Sequence, residues 1–280
     1  MRKFDSLYFP QQGFTLIEII MVIVILSVLS LGSVQFISFG AQGYVDTVRR
    51  SELSATATIV NEKISRLVRD ALPGSVRVNS TADCLEFVPV LSASRYVQAP
   101  IVGSPVSNTV VHMVPVDSAL DQVGFLAIYP VTDDVNDIYD DVSSPGIVSN
   151  NTASVTGSSG GASIFTFSGG NSFEYIRGSP QKRVFLTDAP MAFCQDGSQL
   201  FFYRNYGFVG DITNLAAALP TTVPNRLLVA DNLLAGSAVF SILAASLRRN
   251  AIVAYEFEFE DSTNDESLAI NQEVQIRNVP

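Results

Sequence analysis

The sequence contains no tryptophan, one histidine and two cysteines, and only 16% of its 280 residues are charged. The single histidine, His112, lies in the apolar run VVHMV, which favours a buried or edge-strand side chain over a general base. The sequence also lacks a Walker loop and a GxGxxG motif; the glycine cluster 157–161 is not followed by a helix-forming Lys-Ser/Thr stretch. These absences predict a protein that is not an enzyme and that uses no cofactor.

Basic residues are scarce in most of the chain. From Pro73 to Pro280, 21 acidic residues outnumber 10 basic ones. Because phosphate contacts need a basic face, this balance disfavours nucleic acid as a partner. Hydrophobic residues make up 47% of the sequence, which is enough to bury a sizeable core.

The two cysteines are Cys84 and Cys194, and no CxxC or Cys/His cluster with metal-ligand spacing accompanies them. A zinc site is therefore disfavoured. In an exported chain, such a pair predicts one disulfide that closes a loop of about 110 residues. The alternative is two unpaired, buried thiols.

The N-terminus combines a short leader with a long apolar segment. Residues 1–13 are weakly basic through Arg2 and Lys3, and they lack the apolar region and A-x-A site of an ordinary secretory signal. The next 18 residues, 14–31, are almost wholly apolar and would span about 27 Å as a helix, close to the thickness of a bilayer core. The basic leader is predicted to stay on the cytoplasmic side.

Glu18 interrupts this apolar segment. A carboxylate inside a membrane costs about 2.5–3.5 kcal/mol on insertion scales unless it lies near the interface or has a partner. One interpretation is an interfacial residue that marks the start of the span. The other is a charge that is kept for a partner, which is the reading that intramembrane ionisable residues favour.

The helical pattern continues beyond the apolar segment. No proline occurs between Phe14 and Leu72, and Pro73-Gly74 then predicts the end of the helix. The sequence thus predicts one helix of nearly 60 residues whose second half is amphipathic. The apolar positions of that half recur at steps of three and four residues: Val45, Val48, Ile59, Ile64, Leu67, Val68 and Ala71.

From Ser75 onward the pattern changes to short β-like runs separated by turn residues. The runs are predicted at 76–78, 85–90, 110–114, 123–129, 163–167, 173–176, 183–187 and 200–204. Apart from the run at 163–167, the Ser/Gly-rich segment 143–170 is predicted to be a long surface loop. Within 251–260, apolar and acidic side chains alternate from Ala254, which predicts a half-buried strand paired with 268–276. The body is therefore expected to be mainly antiparallel sheet.

An acidic run offers weak metal candidates, and the turn with Asp261, Asn264, Asp265 and Glu266 offers a weaker second set. Several oxygen ligands within one loop suit Ca²⁺, but this run lacks the glycine and terminal glutamate of an EF-hand. A solvated acidic loop is the favoured interpretation, so no metal is predicted. The weak calcium candidates are Asp133, Asp134, Asn136, Asp137, Asp140 and Asp141.

The start of the chain resembles the leader motif of type IV prepilins and type II secretion pseudopilins. The resemblance is carried by the hexapeptide Gly13-Phe14-Thr15-Leu16-Ile17-Glu18, by the basic leader before it and by the two-part helix after it. The resemblance implies that a membrane peptidase cleaves between Gly13 and Phe14 and that the new N-terminal residue, Phe14, is N-methylated. It also implies that Glu18 is the family's assembly contact, pairing with the Phe14 amine of a neighbouring subunit.

Two further segments resemble the minor pilins of the mannose-sensitive haemagglutinin (MSHA) pilus: the run SELSATATIVNEKISRLVRDALPGSVRV from Ser51 and the ending INQEVQIRNVP from Ile270. The chain is longer than a typical major pilin and lacks the helix-bending proline that many of them carry. Both departures fit a low-copy subunit.

The resemblance implies an α+β pilin fold, in which the long N-terminal helix packs on a mainly antiparallel sheet with extra strands and loops. The expected parts are a leader at 1–13, a membrane-spanning or filament-core half-helix at 14–43, an amphipathic half-helix at 44–72 and a β-rich domain at 73–280. The expected partners are other major and minor pilins, the prepilin peptidase, the inner-membrane assembly machinery and the inner membrane itself.

The expected location is the inner membrane, with a single pass and a periplasmic domain, and later the pilus at the cell surface. Two alternatives remain open. A J-like minor pseudopilin of type II secretion shares the same motif, and gene context would distinguish it. A membrane-anchored periplasmic binding protein or adhesin would instead retain its N-terminus.

Overall fold

The computed structural model describes residues 13–115, 123–140, 144–243, 251–261 and 266–276. It has one long helix, α1 (Leu16–Arg69), one short helix, α2 (Leu215–Ala218), and strands throughout the rest. The predicted α+β class is therefore confirmed. The strands are β1 (Arg77–Val78), β2 (Cys84–Phe87), β3 (Val90–Gln98), β4 (Val110–Met113), β5 (Val123–Ala127), β6 (Ala153–Ser159), β7 (Ala162–Phe167), β8 (Arg183–Thr187), β9 (Met191–Asp196), β10 (Gln199–Tyr203), β11 (Arg226–Ala230), β12 (Val239–Leu243), β13 (Ile252–Glu260) and β14 (Ser267–Gln275).

The chain divides into two compact units, one ending at Glu52 and the other beginning at Leu53. The first unit, in its described part, holds the N-terminal portion of α1. This helix is long and apolar enough to cross a membrane: an 18-residue window has a mean hydropathy of 2.6, and none of that window is buried. These properties fit a single-pass, membrane-anchored protein.

In the second unit, the end of α1 packs through one narrow stripe. Ala57, Val60, Ile64 and Val68 follow each other at steps of three or four residues and are all buried. Full burial of a Val or Ile contributes roughly 1.5–3 kcal/mol, whereas an i,i+4 ion pair contributes only a few tenths. The stripe therefore holds the helix on the sheets. Three apolar positions of the predicted amphipathic pattern are exposed instead of buried: Ile59 in this unit, and Val45 and Val48 in the first unit.

Two sheets share their core with this stripe. The first has the order β1-β2-β9-β10-β11 and the second the order β12-β13-β14. The hydroxyl of Tyr255 on β13 also contacts α1, because it donates to Asn61 Oδ1 at 2.6 Å and lies 2.9 Å from Ser65 Oγ. The predicted pairing of the last two strands is confirmed, since β13 and β14 pair over nine consecutive residues.

A closed six-stranded barrel, with the order β3-β4-β7-β6-β5-β8, is inserted between β2 and β9. These two strands are neighbours in the first sheet, and Phe87 at the end of β2 pairs with Met191 at the start of β9. The inserted segment therefore leaves the sheet and returns to it at adjacent positions. Its interior is filled by side chains that include Phe165, Tyr175 and Leu186.

The barrel corrects two sequence-based expectations. The segment 143–170, predicted to be loop apart from a strand at 163–167, contains a second strand, β6, which forms a hairpin with β7 that is closed at Gly160-Gly161. Both glycines have positive φ (59° and 81°), as a tight two-residue hairpin turn requires. The run 173–176 is not a strand; Tyr175 forms only isolated bridges, and its side chain is buried in the barrel.

Arg77 fastens the inserted segment to the first sheet. Its Nε donates to Glu86 Oε2 at 2.7 Å, and its Nη1 donates to Asn136 Oδ1 at 2.7 Å and to the Gly210 carbonyl at 2.9 Å. Asn136 lies in the β5–β6 connection, so this guanidinium joins that connection to β1 and β2. Burial raises the pKa of Glu86, while the charge and hydrogen bond of Arg77 and the hydrogen bond from Tyr206 oppose that rise.

Replacing Arg77 should destabilise the second unit strongly. We expect Arg77→Met to lower the free energy of unfolding by about 3 kcal/mol, because it leaves the Glu86 carboxylate buried without its cation. The double variant Arg77→Met/Glu86→Leu should recover at least half of that loss, since it removes both charges. Denaturant unfolding of the full chain in detergent measures both values. A loss below about 1 kcal/mol in the single variant would contradict the fastening role.

Candidate functional site

The predicted cleavage position lies in exposed, non-helical backbone. Residues 13–15 precede the first residue of α1, Leu16, and Phe14 is 79% exposed. The bond between Gly13 and Phe14 is therefore outside the helix and accessible to a peptidase. Residues 1–12 of the predicted leader lie outside the described residues.

Thr15 caps the start of α1. Its carbonyl accepts hydrogen bonds from the backbone N–H groups of Glu18 (3.1 Å) and Ile19 (3.3 Å), and its Oγ1 lies 3.4 Å from the Glu18 nitrogen. Thr15 thus occupies the N-cap position and Glu18 the N3 position, and T-x-x-E is the sequence pattern of a capping box. Sequence reasoning missed this cap, although its spacing before an apolar run is the usual signal.

The helix behind this cap presents an apolar surface on every side. All its large apolar side chains from Phe14 to Phe39 are between 48% and 79% exposed. Water is a poor solvent for such a surface, whereas lipid tails or the apolar helices of other subunits match it. Glu18 is the only charged residue from Phe14 to Gly43, and it lies in the first turn of the helix.

The predicted disulfide between Cys84 and Cys194 is present, and it joins β2 to β9. The two residues are direct cross-strand partners with a Cα–Cα distance of 4.1 Å. The hydrogen bond from the Gln195 N–H to the Asp83 carbonyl shows that they form a non-hydrogen-bonded pair, in which opposing side chains are closest. The bridge lies three residues along this strand pair from Phe87 and Met191, where the inserted segment leaves the sheet and returns to it.

In the described residues, three of the weak calcium candidates accept hydrogen bonds from nearby protein groups. The Asp134 carboxylate accepts from the Asn136 N–H at 2.9 Å, Asp137 accepts from the Thr132 hydroxyl, and the Asn136 amide oxygen accepts from Arg77. Asp133 and Asp140 belong to the same stretch, and Asp141, like Asn264 and Asp265 of the second set, lies outside the described residues. Within the described part of the chain, no group of three or more His, Cys, Asp or Glu side chains has the arrangement of a metal site.

Comparison with known protein families identifies one feature. A family model described as the prokaryotic N-terminal methylation motif matches residues 9–34. The matched residues include the cleavage position, the cap and Glu18. No curated protein and no solved structure gives a significant match to the chain.

The motif implies processing by a prepilin peptidase and interactions with pilin-type subunits. The exposed apolar helix and the sheets behind it are the parts that such a protein needs. The motif and the structure together support a type IV pilin-like or pseudopilin-like protein.

Proposed function

We propose that this chain is a minor type IV pilin that is incorporated into a pilus filament or initiates its assembly. The observation that carries the proposal is the apolar surface of α1, which is exposed on all sides and begins directly at the matched motif. While the subunit is in the inner membrane, lipid covers this surface. After cleavage, the helices of other subunits cover it in the filament core. The body has no catalytic role in this proposal.

The finer assignment is an MSHA-type minor pilin that resembles the MshO subunit. It is supported by the segments from Ser51 and from Ile270, and by the large body with its inserted barrel. A minor pseudopilin of type II secretion is the first alternative, because the same motif and helix serve both systems. A membrane-anchored periplasmic binding protein or adhesin is the second alternative, and it predicts that residues 1–13 are retained.

The processed N-terminus provides the direct test. We expect intact-mass analysis of the chain purified from cells with the peptidase to show Phe14 as the first residue, about 14 Da heavier than an unmodified terminus because of one methyl group. In cells that lack the peptidase, residues 1–13 should remain. A mature chain that begins at Met1 in peptidase-positive cells would contradict the assignment.

A further inference from the structure

The last strand of the second sheet, β14, has an open edge. It pairs with β13 on one side, and in the described part of the chain no strand lies on its other side. Natural edge strands are usually protected by shortness, bulges, proline or lysine. β14 spans nine residues in uninterrupted register and contains no proline, lysine or arginine. Its backbone is therefore available to an additional strand.

The hydrogen-bond register identifies the available backbone groups. The Ile276 N–H donates to the Ala251 carbonyl at 2.9 Å, and the Asp261 N–H donates to the Glu266 carbonyl at 2.8 Å. Because hydrogen-bonded pairs alternate along an antiparallel ladder, the even-numbered residues of β14 bond to β13. The Glu273 carbonyl also accepts a hydrogen bond from the Gln272 side chain at 3.2 Å, which an added strand would displace. The N–H and C=O groups of the odd-numbered residues face the open edge: Ser267, Ala269, Asn271, Glu273 and Gln275.

The solvent-exposed face of this sheet is acidic. Glu256, Glu258 and Glu260 of β13 are exposed or half-exposed, and their Cα partners on β14 are the short residues Asn271, Ala269 and Ser267. Short side chains thus separate each of these glutamates from the open edge, and Glu273 adds a fourth carboxylate on β14 itself. Strands lie about 4.8 Å apart, so a lysine or arginine on an added strand would reach across β14 to these carboxylates.

The carboxylates have no basic partner on this sheet in the described residues. On the other side of β13, three residues of β12 share the acidic face, and none is basic: Val239, Ser241 and Leu243. A second copy of the strand is a poor occupant, because it would bring its own Glu273 and a second acidic face to the first. Charge complementarity therefore selects a strand of a different protein.

We propose that β14 is a docking edge for a β-strand of a partner protein in which lysine or arginine alternates with apolar residues. Backbone hydrogen bonds to Ala269, Asn271 and Glu273 supply the pairing, and the basic side chains contact the glutamates. The apolar side chains extend the face on which Leu268 and Ile270 pack against the core. This proposal does not require the filament assignment.

A synthetic peptide tests the docking edge on the full chain in detergent micelles. The probe is a nine-residue peptide of alternating Lys and Val with blocked ends, and the control peptide alternates Glu and Val. We expect saturable binding of the Lys peptide that weakens at least about tenfold when salt rises from about 0.05 to 0.5 M, and no binding of the Glu peptide. Hydrogen exchange at residue resolution should slow at least about tenfold at Ala269, Asn271 and Glu273, but not at Ile270 and Gln272, which already bond to β13.

Two variants separate strand pairing from general attraction. Asn271→Pro removes an N–H that faces the open edge and leaves the ladder to β13 intact, so it should weaken binding at least about tenfold, whereas Asn271→Ala should bind like the wild type. Ala269→Lys places an ammonium group opposite Glu258 without changing any backbone donor, and it should cause a similar loss.

Three results overturn the proposal. The first is the absence of saturable binding of the Lys peptide to the wild-type chain. The second is equal binding by the wild type and Ala269→Lys, which would show that the peptide binds elsewhere. The third is wild-type binding by a folded Asn271→Pro or, if that variant does not fold, unslowed exchange at Ala269, Asn271 and Glu273 in the wild-type complex; either would show charge attraction without strand pairing.

Discussion

Replacing both Cys84 and Cys194 by alanine should lower the free energy of unfolding of the second unit by about 4–5 kcal/mol. The chain-entropy model relates the loss to the loop that the bridge closes in the unfolded chain, and here the two residues are separated by 110 positions. The double alanine variant leaves no free thiol. The cross-strand pair β2–β9 retains its backbone hydrogen bonds, so the loss reports the crosslink itself.

The size of the loss also reports whether the inserted barrel unfolds with the sheets. Val90 at the start of the barrel pairs with Thr187 at its end. If the barrel stayed folded while the sheets unfolded, the loop closed by the bridge would shrink to about 15 residues and the loss to about 3 kcal/mol. A loss of 4–5 kcal/mol therefore indicates one cooperative transition.

Thermal and denaturant unfolding of the full chain in detergent measures this effect. The double variant should melt about 10 °C or more below the wild type. Reduction of the wild type under denaturing conditions, followed by alkylation and refolding, should give a similarly weakened protein. A melting temperature within about 2 °C of the wild type would contradict a stabilising role for the bridge.

The parts of the fold that the sequence predicted are those with a strong periodic signal. The absence of proline and the apolar run marked α1, and the alternation in AYEFEFE marked β13. The disulfide was predicted from the export topology and from the number of cysteines, because two cysteines allow only one pairing. For these elements local pattern and tertiary structure agree, which is why sequence alone was enough.

Four of the six barrel strands, β4, β5, β7 and β8, were predicted as β-like runs, but the closure of the barrel was not, because it depends on tertiary pairing. The strand β6 has no apolar alternation because it is rich in Ser and Gly, and its one fully buried residue, Ala153, is small. The alternation in ASIFTF did predict β7, and the Gly160-Gly161 turn was the remaining signal for the β6–β7 hairpin. The open edge of β14 could not be found from sequence either, since it depends on the strand order.

The position of Glu18 allows its charge and its place in the helix to be tested separately. Glu18 is the N3 residue of α1, a position where glutamine serves nearly as well as glutamate. The charge of Glu18 has a separate consequence. In a filament core it would lie among apolar helices, where a carboxylate must be neutralised or paired. The cation that processing creates is the Phe14 amine, and each subunit carries one.

We propose that Glu18 pairs with the Phe14 amine of a neighbouring subunit. Loss of a partner from a buried ion pair costs on the order of 3 kcal/mol, so Glu18→Ala should reduce surface piliation and co-purification with partner pilins at least about tenfold. Cleavage after Gly13 and membrane insertion should remain normal in this variant. Intact-mass analysis and membrane fractionation check both, and they distinguish the pairing from a role limited to peptidase recognition or membrane positioning.

The matched variants Glu18→Gln and Thr15→Ala identify which role assembly needs. Glu18→Gln keeps the capping geometry and removes the charge, so it should fail like Glu18→Ala if pairing is required. Thr15→Ala removes the capping hydroxyl and keeps the charge, so its effect on pilus number should be smaller; the loss of an N-cap costs about 1 kcal/mol. Counting pili by electron microscopy and measuring incorporation in sheared filaments compares the variants. Normal pilus number and normal incorporation in Glu18→Gln would refute the pairing and leave capping as the role of this residue.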